Sequence, residues 1–391
     1  MPGNWNNRNT SVSISHSLSE IPAAQWDALG EGDYPFTRHA FLYGLEQHGC
    51  LEPFGWHPVY FQVHGDDRLL AAIPCYIKTN SYGELVFDHA WVNAYHRHGI
   101  DYYPKLVSAI PYTPATGERF LIDRELVADD AERGFLRDLL CRAIQGFCSD
   151  QELSSWHLLF PEKTILDSLE DKAILARNDV QFHWQNPGYE DFSAFLGALN
   201  SRKRKNIRKE RASVADQQLD IRMQPGETIS AADWRRIHEL YAGIYDRKYG
   251  TATLTPEFFE HLGETMPGRV LAALAREHGR IVAASLFFRS DSHLYGRVWG
   301  CGRYFHNLHF ECCYYQGIDY CIAEGLECFD PGAQGEHKLS RGFLPTLTWS
   351  GHWIAHPQFR EAIKHFLDEE RRHIRAYRDG LMEHSPYRRT E

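Results

Sequence analysis

Apolar and polar residues alternate in two similar segments of this chain. Residues 58–91 (PVYFQVHGDDRLLAAIPCYIKTNSYGELVFDHAW) and 270–302 (VLAALAREHGRIVAASLFFRSDSHLYGRVWGCG) each contain three apolar runs, separated by a His-Gly turn and a Tyr-Gly step. Period-two runs bounded by Gly and Asp are typical of strands joined in hairpins. Each segment therefore predicts a three-stranded antiparallel meander, and their similarity indicates that one unit occurs twice.

A helix and a further strand follow each predicted meander. Apolar residues at three- and four-residue spacing predict helices over 131–149 and 310–324. The first half carries a long insertion between meander and helix, which we expect to line a cleft because long insertions in domains are usually functional. An extra edge hairpin is the alternative. The other predicted elements are strands 156–160, 219–223, 327–330 and 346–355 and helices 189–199, 231–247, 256–265 and 357–381.

Composition places the chain among ordinary globular proteins. It has 391 residues, of which 43% are hydrophobic and 24% charged, and this balance excludes disordered and low-complexity classes. The longest charge-free apolar stretch, residues 69–77, is far shorter than a membrane helix. The N-terminal residues show no apolar signal region. We therefore expect a cytoplasmic protein without a membrane span, whose nine cysteines are reduced and mostly buried.

Charge is unevenly distributed along the chain. The formal net charge is −10, so a polyanion would have to bind a local basic patch. Residues 202–211 (RKRKNIRKER) supply one, with seven basic residues in ten. We expect Arg204 and Arg208 to contact a phosphate-bearing ligand, such as the acceptor end of a tRNA, a nucleotide-linked precursor or a CoA tail. A solvated interdomain helix is the alternative.

The segment 330–343 (DPGAQGEHKLSRGF) combines three glycines with charged and imidazole side chains. Glycine lets the backbone approach a ligand closely. Lys338 beside it could stabilise an oxyanion at an acyl carbonyl, and Glu336 or His337 could accept a proton from an amine. We add Asp330 and Arg341 as substrate contacts. A glycine-rich turn with solvated charges is the alternative.

Two further groups of residues are candidates for substrate binding. In the first half, Asp88, Tyr103, Lys105 and Tyr112 lie in the insertion and its approach, and their side chains suit a polar acceptor. Packing of aromatic rings under a loop is the alternative.

The second group is at the start of the helix predicted over 310–324 and consists of His309, Glu311 and Tyr314. With His306, two of these residues invite a zinc interpretation. We predict no metal site, because positions 309 and 311 of one helix point to different faces.

A family resemblance is carried by segments 34–46 (YPFTRHAFLYGLE), 81–91, 102–121, 309–326 (HFECCYYQGIDYCIAEGL) and 329–343. With these segments the sequence resembles the FemAB-like family of bacterial N-acyltransferases, related to the Fem-type aminoacyl transferases of peptidoglycan. The order of elements resembles the GNAT acyltransferase fold, repeated in tandem. The resemblance covers about residues 26–370. It implies a mixed α/β fold with two tandem GNAT-like domains, each a mostly antiparallel sheet flanked by helices, and a long C-terminal helix. The expected domains are residues 11–188 and 189–385.

The resemblance also implies a reaction. An acyl or aminoacyl group would move onto an amine, on a small molecule or a cell-wall precursor, with Lys338 stabilising the transferred carbonyl. The donor would be aminoacyl-tRNA or acyl-CoA, with no tightly bound cofactor. Acetyl-CoA-dependent GNAT domains usually carry a Q/R-x-x-G-x-G/A loop at a helix N-terminus, and we expect neither half to form such a phosphate-binding loop.

We expect the site to lie in a cleft between the domains and the first half, which lacks a counterpart of the glycine loop, to be catalytically silent. The alternatives are a non-catalytic tandem module that binds a phosphate-bearing ligand and an acyl-CoA-dependent small-molecule N-acetyltransferase.

Overall fold

Backbone contacts divide the chain into two units. The first comprises residues 1–179 and 347–375, and the second residues 180–346 and 376–391. The computed structural model describes residues 10–30, 32–247, 250–333 and 335–388.

Strands and helices occur in both units. The strands are β1 (Thr10–Ser15), β2 (Trp56–Gly65), β3 (Arg68–Lys78), β4 (Lys105–Ser108), β5 (Leu121–Ile122), β6 (Ser155–Leu159), β7 (Leu175–Gln185), β8 (Asp220–Pro225), β9 (Val270–Glu277), β10 (Arg280–Arg289), β11 (His293–Cys301), β12 (Cys328–Asp330) and β13 (Leu344–Ile354). The α-helices are α1 (Ala23–Asp27), α2 (His39–Gln47), α3 (His89–Arg97), α4 (Asp130–Asp150), α5 (Lys163–Asp167), α6 (Phe192–Ala198), α7 (Ser201–Ala215), α8 (Ala231–Asp246), α9 (Pro256–Thr265), α10 (Leu308–Phe310), α11 (Gln316–Glu324) and α12 (Pro357–Glu383).

In the first unit, neighbouring strands pair in the order β1-β2-β3-β4-β6-β13. All these pairs are antiparallel except β4–β6, which is parallel. The β2–β3 hairpin turns at Asp66 and Asp67, which both adopt positive φ as a two-residue type I′ turn requires. Helix α4 packs on this sheet because Leu136, Leu140 and Ile144 form an apolar stripe that enters the core.

The meander predicted for the first half is wrong in its third strand. Residues 81–88 contain no strand, and α3 follows them. The third strand is instead β4, contributed by the insertion, which pairs with β3 from Tyr76↔Val107 to Lys78↔Lys105. The physical reason is charge: the Glu84 and Asp88 carboxylates turn inward to the Lys105 ammonium, so this stretch cannot present an apolar face to the core.

In the second unit, the pairing order is β8-β9-β10-β11-β12-β7. All pairs are antiparallel except β11–β12, which is parallel. The β9-β10-β11 meander is therefore confirmed. The two units share strand order and orientation, with β13 as the sixth strand of the first and β7 as the sixth strand of the second. The structure confirms the duplication that the sequence predicts.

The helix predicted over 310–324 is present but interrupted. A π-helical turn, Glu311–Tyr315, separates α10 from α11. The turn buries Glu311, Tyr314 and Tyr315, and two of them face α7, where Glu311 contacts Arg211 and Tyr315 contacts Glu210. Such turns are frequent at functional sites.

The C-terminal helix α12 begins at Pro357, as predicted, where the missing N–H of proline is not needed. It buries Ile363 and Leu367 and is otherwise largely polar. Within the ranges that the structure describes, no helix is sufficiently long and apolar to cross a membrane.

Candidate active site

The parallel pair β11–β12 in the second unit opens after three residues. Pairing runs from His293↔Cys328 to Tyr295↔Asp330, after which β11 continues to Cys301 and the chain leaves β12 into the loop 331–343. The carboxyl end of a parallel pair is where ligands bind in α/β folds. The candidate catalytic residues of the sequence lie in this loop.

Glycine is required at two positions of the loop. Gly332 has a φ of 95° and Gly335 a φ of 118°, values that other residues rarely adopt. At Gly335, a Cβ atom would also lie 2.4 Å from the His337 ring. The short 3₁₀ helix Glu336–Arg341 follows. Gln334, which belongs to the predicted motif, lies outside the described residues.

Lys338 is the most deeply buried of the three predicted catalytic residues. It is 2% exposed, and its Nζ donates a hydrogen bond to the Gly332 carbonyl oxygen at 2.5 Å. Burial lowers the pKa of Lys338 to about 8, although the nearby Asp330 carboxylate opposes that shift. Among the described residues, Gly332 O is the one hydrogen-bond acceptor of this ammonium, and a buried cation of this kind is suited to stabilising a developing negative charge.

Asp330 ends β12 and is itself 2% exposed. Its carboxylate accepts hydrogen bonds from the Gly332 N–H and the Arg297 guanidinium, each at 2.8 Å. Burial favours the neutral acid, but Arg297 and His183 outweigh it and hold the pKa of Asp330 at about 2. The carboxylate therefore stays ionised at any working pH.

Arg297 and His183 were missed from the sequence. Arg297 directly follows the Tyr-Gly step of the second meander, which was interpreted only as a break between runs. His183 lies on β7, a strand that was not predicted although Val180, Phe182 and Trp184 alternate along it. The alternation was the available signal.

His337 and Glu336 are both exposed and have different partners. The Nε2 atom of His337 lies 2.9 Å from the Tyr314 hydroxyl, and the Glu336 carboxylate accepts a hydrogen bond from the Tyr377 hydroxyl at 2.5 Å. Burial, with Arg341 and Lys338 nearby, lowers the pKa of His337 below its usual 6.5. His337 is therefore neutral near pH 7 and able to accept a proton, with Tyr314 in contact with one ring nitrogen.

His309 and Glu311 face different partners, as their spacing predicts. The His309 ring packs against Trp299 and Tyr314, and burial with His337 nearby lowers its pKa to about 4. The Glu311 carboxylate is 3.0 Å from the Arg211 guanidinium. Among the described residues, no group of three His, Cys, Asp or Glu side chains is arranged to hold a metal ion.

The basic segment forms helix α7, and its cations divide into two sets. Arg211 is bound to Glu311 and Asp319, and Glu210 of the same helix forms two hydrogen bonds with Arg341. Arg341 is thus 7% exposed, with its donors engaged inside the unit. By contrast, Arg208 is exposed and Arg204 half-buried, and neither has an ion pair within the described chain.

Family membership follows from the whole chain. Residues 17–389 match the FemAB-like family, which is described as acting in peptidoglycan biosynthesis/recognition. The chain belongs to the FemAB-like family. It is thus a member of a family of GNAT- and Fem-type acyltransferases. A search of the curated proteins finds no match.

Among solved structures, FemX shares the fold at low sequence identity, and two others are less similar. The crystal structure of FemX is 11% identical, with a TM-score of 0.51, and the match covers 90% of this FemAB-like chain and 100% of FemX. L-PGS from Bacillus licheniformis is 10% identical (TM-score 0.48, 83% of this chain, 95% of that one). A tandem GNAT protein from the clavulanic acid biosynthesis pathway is 10% identical (TM-score 0.44, 89% and 99%). The predicted fold class, a mixed α/β tandem GNAT-like chain with a long C-terminal helix, is confirmed.

In the first unit of this FemAB-like chain, the predicted binding residues form a buried ion cluster. Lys105 Nζ lies 2.5 Å from Asp88 Oδ2, 2.8 Å from Glu84 Oε2 and 2.9 Å from Ser81 Oγ. Burial disfavours the ammonium, but the two carboxylates raise the pKa of Lys105 above its ordinary value. Tyr103, which is half-buried, reaches this cluster through a 2.7 Å contact with the Ser81 hydroxyl.

A hydrogen-bonded chain continues from this cluster across two strands. The Tyr102 hydroxyl donates to Asp88 at 2.7 Å and lies 3.1 Å from His157 Nε2 on β6. His157 Nδ1 lies 2.6 Å from His352 Nδ1 on β13. Neither the two histidines nor their contact was predicted, because 195 residues separate them.

Acid will destabilise the first unit through this histidine pair. Burial lowers the pKa of His157 and of His352 well below 6.5, so the folded protein keeps both rings neutral. The unfolded chain protonates them below pH 6.5, so the stability from the neutral pair is lost as the pH falls below that value. At pH 5 we expect a loss of about 2 kcal/mol per histidine. Urea unfolding of the wild type and His352→Gln at pH 7 and 5 measures it; an equal pH dependence in both proteins would contradict the prediction.

The first unit also contains a counterpart of the open strand pair. β4 and β6 are parallel like β11 and β12, and the insertion folds back beside them as a mostly buried loop, residues 109–120. Arg119 is 2% exposed and donates to the carbonyls of Ala115, Gly117, Glu118 and Leu159. The Tyr112 hydroxyl donates to the Cys50 carbonyl at 2.7 Å. In this unit the insertion supplies packing and backbone hydrogen bonds.

Proposed function

We propose that this FemAB-like chain is an N-acyltransferase whose chemistry takes place in the second unit. The observation that carries the proposal is Lys338. A buried lysine with a pKa of about 8 lies on a glycine loop, at the open end of the parallel pair β11–β12. This position combines the end of a parallel pair, where ligands bind, with a positive charge suited to a carbonyl oxygen.

In the proposed reaction, the acceptor amine attacks the carbonyl carbon of the donor. A C–N bond forms, the carbonyl oxygen becomes an oxyanion, and the Lys338 ammonium stabilises it. His337 or Glu336 accepts the proton that the amine loses. Collapse of the tetrahedral intermediate breaks the C–O bond of an ester or the C–S bond of a thioester, and the departing oxygen or sulfur takes up a proton. The mechanism needs no covalent enzyme intermediate.

Both donor classes remain in the proposal. The Q/R-x-x-G-x-G/A pattern of acetyl-CoA-dependent GNAT domains occurs at residues 247–252 (RKYGTA) and 297–302 (RVWGCG), and residues 297–301 lie in strand β11 and not in a loop. An acyl-CoA donor therefore stays in the proposal, and the exposed cations of α7 suit a tRNA acceptor end. The acceptor class is an amine on a small molecule or a cell-wall precursor, in keeping with the description of the family. The site residues in the first unit are proposed as acceptor contacts only where they are partly exposed, as Tyr103 and Tyr112 are.

The decisive experiment supplies each donor separately. The purified chain is incubated with a pool of primary amines and cell-wall precursors, together with either acetyl-CoA or a charged tRNA pool. A mass increase on an amine, equal to the donor's acyl or aminoacyl group, identifies the donor. No mass increase with either donor, alongside measurable ligand binding, would favour the non-catalytic module.

Binding of tRNA is expected to depend on α7 and on salt. Lys205 and Arg208 are exposed cations, and releasing counterions from phosphates makes affinity fall with salt concentration. We expect Lys205→Ala with Arg208→Ala to weaken tRNA binding and to reduce the slope of log affinity against log salt by about 1–2. Fluorescence anisotropy with a labelled acceptor-stem RNA over a salt series measures both.

The matched control removes two exposed cations elsewhere. Lys364 and Arg375 lie on α12, and their double alanine variant changes net charge by the same amount. An equal loss of affinity in the control would assign the effect to overall charge and contradict a site on α7.

A further inference from the structure

The ion pair between Arg297 and Asp330 lies next to the glycine loop, and neither side chain takes part in the reaction proposed above. The Arg297 side chain is 6% exposed and that of Asp330 is 3% exposed, and Arg297 Nη2 lies 2.8 Å from Asp330 Oδ2. Arg297 Nη1 also donates to its neighbour's carbonyl, Gly296 O, at 2.8 Å. Both residues lie at the point where β11 and β12 stop pairing. The pair therefore lies where the two strands separate, at the start of the loop that carries Lys338.

Contacts lead in an unbroken series from this pair to Lys338. Asp330 Oδ1 accepts a hydrogen bond from the Gly332 N–H at 2.8 Å, and Gly332 O accepts one from Lys338 Nζ at 2.5 Å. The N–H of Gly332 is thus held by Asp330, and the carbonyl oxygen of Gly332 holds Lys338. Glycine adopts a φ of 95° without strain but is conformationally free, so these two contacts fix the Gly332 backbone in the loop.

Asp330 also acts on the charge of Lys338. Burial favours the neutral amine, and the ionised Asp330 carboxylate is what raises the pKa of Lys338 against that burial. Arg297 has the opposite direct effect on Lys338, but it keeps Asp330 ionised. The other titratable or charged groups that act on Lys338, or on which it acts, are Cys313 of the π-helical turn, His183 of β7, His309 of α10, and His337 of the loop.

We infer that Arg297 and Asp330 are positioning residues, which hold the Gly332 peptide and, through it, the Lys338 ammonium at the open end of β11–β12. The inference rests on the proposed function for its purpose, since an ammonium in this place serves acyl transfer. It reassigns Asp330, proposed from the sequence as a substrate contact, to a role behind the substrate. The protonation of Lys338, which these two residues are inferred to control, can be measured without turnover.

The test is the titration of Lys338 in Asp330→Asn. Asparagine keeps an oxygen for the Gly332 N–H and removes the negative charge. The probe is acetic anhydride at limiting concentration over pH 6–10, with mass spectrometry of the peptide that contains Lys338. We expect the midpoint of Lys338 acetylation to shift about 1 pH unit to lower pH. The control Glu327→Gln removes an exposed carboxylate three residues away and is expected to leave the midpoint unchanged.

A second variant guards against misfolding. Arg297→Lys keeps the positive charge but loses the two-pronged contact that fixes Asp330 and Gly296. A carboxylate that is no longer fixed beside Lys338 attracts the ammonium less strongly, so the Lys338 midpoint is expected to shift in the same direction. If either variant folds and leaves the Lys338 midpoint where it is in the wild type, the inference is overturned. In an active enzyme, the fall of kcat at high pH would shift with the midpoint while the KM for the acceptor stays constant. A shifted midpoint in a chain that acylates no amine would instead uphold the positioning role and refute the proposed reaction.

Discussion

Lys338→Met is expected to lower kcat by about 100- to 1,000-fold, the usual cost of losing one oxyanion donor. Methionine keeps the length and apolar character of the lysine stem, so the loop retains its packing. The charge it removes is the one that would face the carbonyl oxygen in the transition state. Steady-state kinetics with whichever donor the donor-supply experiment selects, together with calorimetric binding of the acceptor, separates turnover from affinity.

Stability provides an internal check on this variant. The pKa of Lys338 is lowered to about 8, so the unfolded chain binds more protons than the folded chain between that pH and 10.5. The charged lysine therefore costs stability at pH 7, and this cost disappears as the pH rises from about 8 to 10.5. We expect Lys338→Met to be at least as stable as the wild type at pH 7.

Lys163 supplies the matched control because it is an exposed lysine on α5, paired with Asp167 at the surface. Lys163→Met is expected to keep full activity. If Lys338→Met turned over normally, the lysine would have no role in acyl transfer. If the variant lost acceptor binding and no turnover could be found in the wild type, the binding module would be the better account.

Lys105→Met is expected to destabilise the first unit by about 3–5 kcal/mol, because it leaves two buried carboxylates without their partner. Glu84 is 4% exposed and Asp88 is 3% exposed. One oxygen of each carboxylate already has no hydrogen-bond partner in the described structure. Urea unfolding, followed by the fluorescence of the first unit's tryptophans, measures the loss.

The compensating variant tests the cause. Adding Glu84→Gln and Asp88→Asn to Lys105→Met removes the unpaired charges and is expected to recover most of the stability. Lys78→Met is the control and is not expected to show the loss seen in Lys105→Met. Burial lowers the pKa of Lys78 to about 7, so keeping this lysine charged at neutral pH costs stability. A Lys105→Met protein with wild-type stability but no acceptor binding would show that Lys105 is a binding residue and not a structural one.

The periodic elements of this chain could be predicted because they depend on local pattern. The β9-β10-β11 meander and α4 follow from alternation and from three- and four-residue spacing, and the structure has both. The third strand of the first half could not be predicted in the same way. Residues 81–91 (SYGELVFDHAW) have the apolar pattern of a strand. They form none because the Glu84 and Asp88 carboxylates bind Lys105, which is 17 residues beyond Asp88.

The candidate site was predicted in part for the same reason. The glycine loop is contiguous in sequence, so Glu336, His337 and Lys338 could be proposed together. Arg297 and His183 approach Asp330 from other strands, and strand pairing alone brings them there. Ion partners likewise separate two buried lysines: Glu84 and Asp88 raise the pKa of Lys105, whereas burial outweighs Asp330 at Lys338 and lowers its pKa.

By itself, the sequence determined the duplication, most strands and helices, the position of the glycine loop and the family resemblance, because each is written in short-range spacing and contiguous motifs. Only the tertiary structure decided which charges are paired. The energy of a charge depends on its burial and on partners such as His352 for His157, 195 residues away, and no local pattern records either.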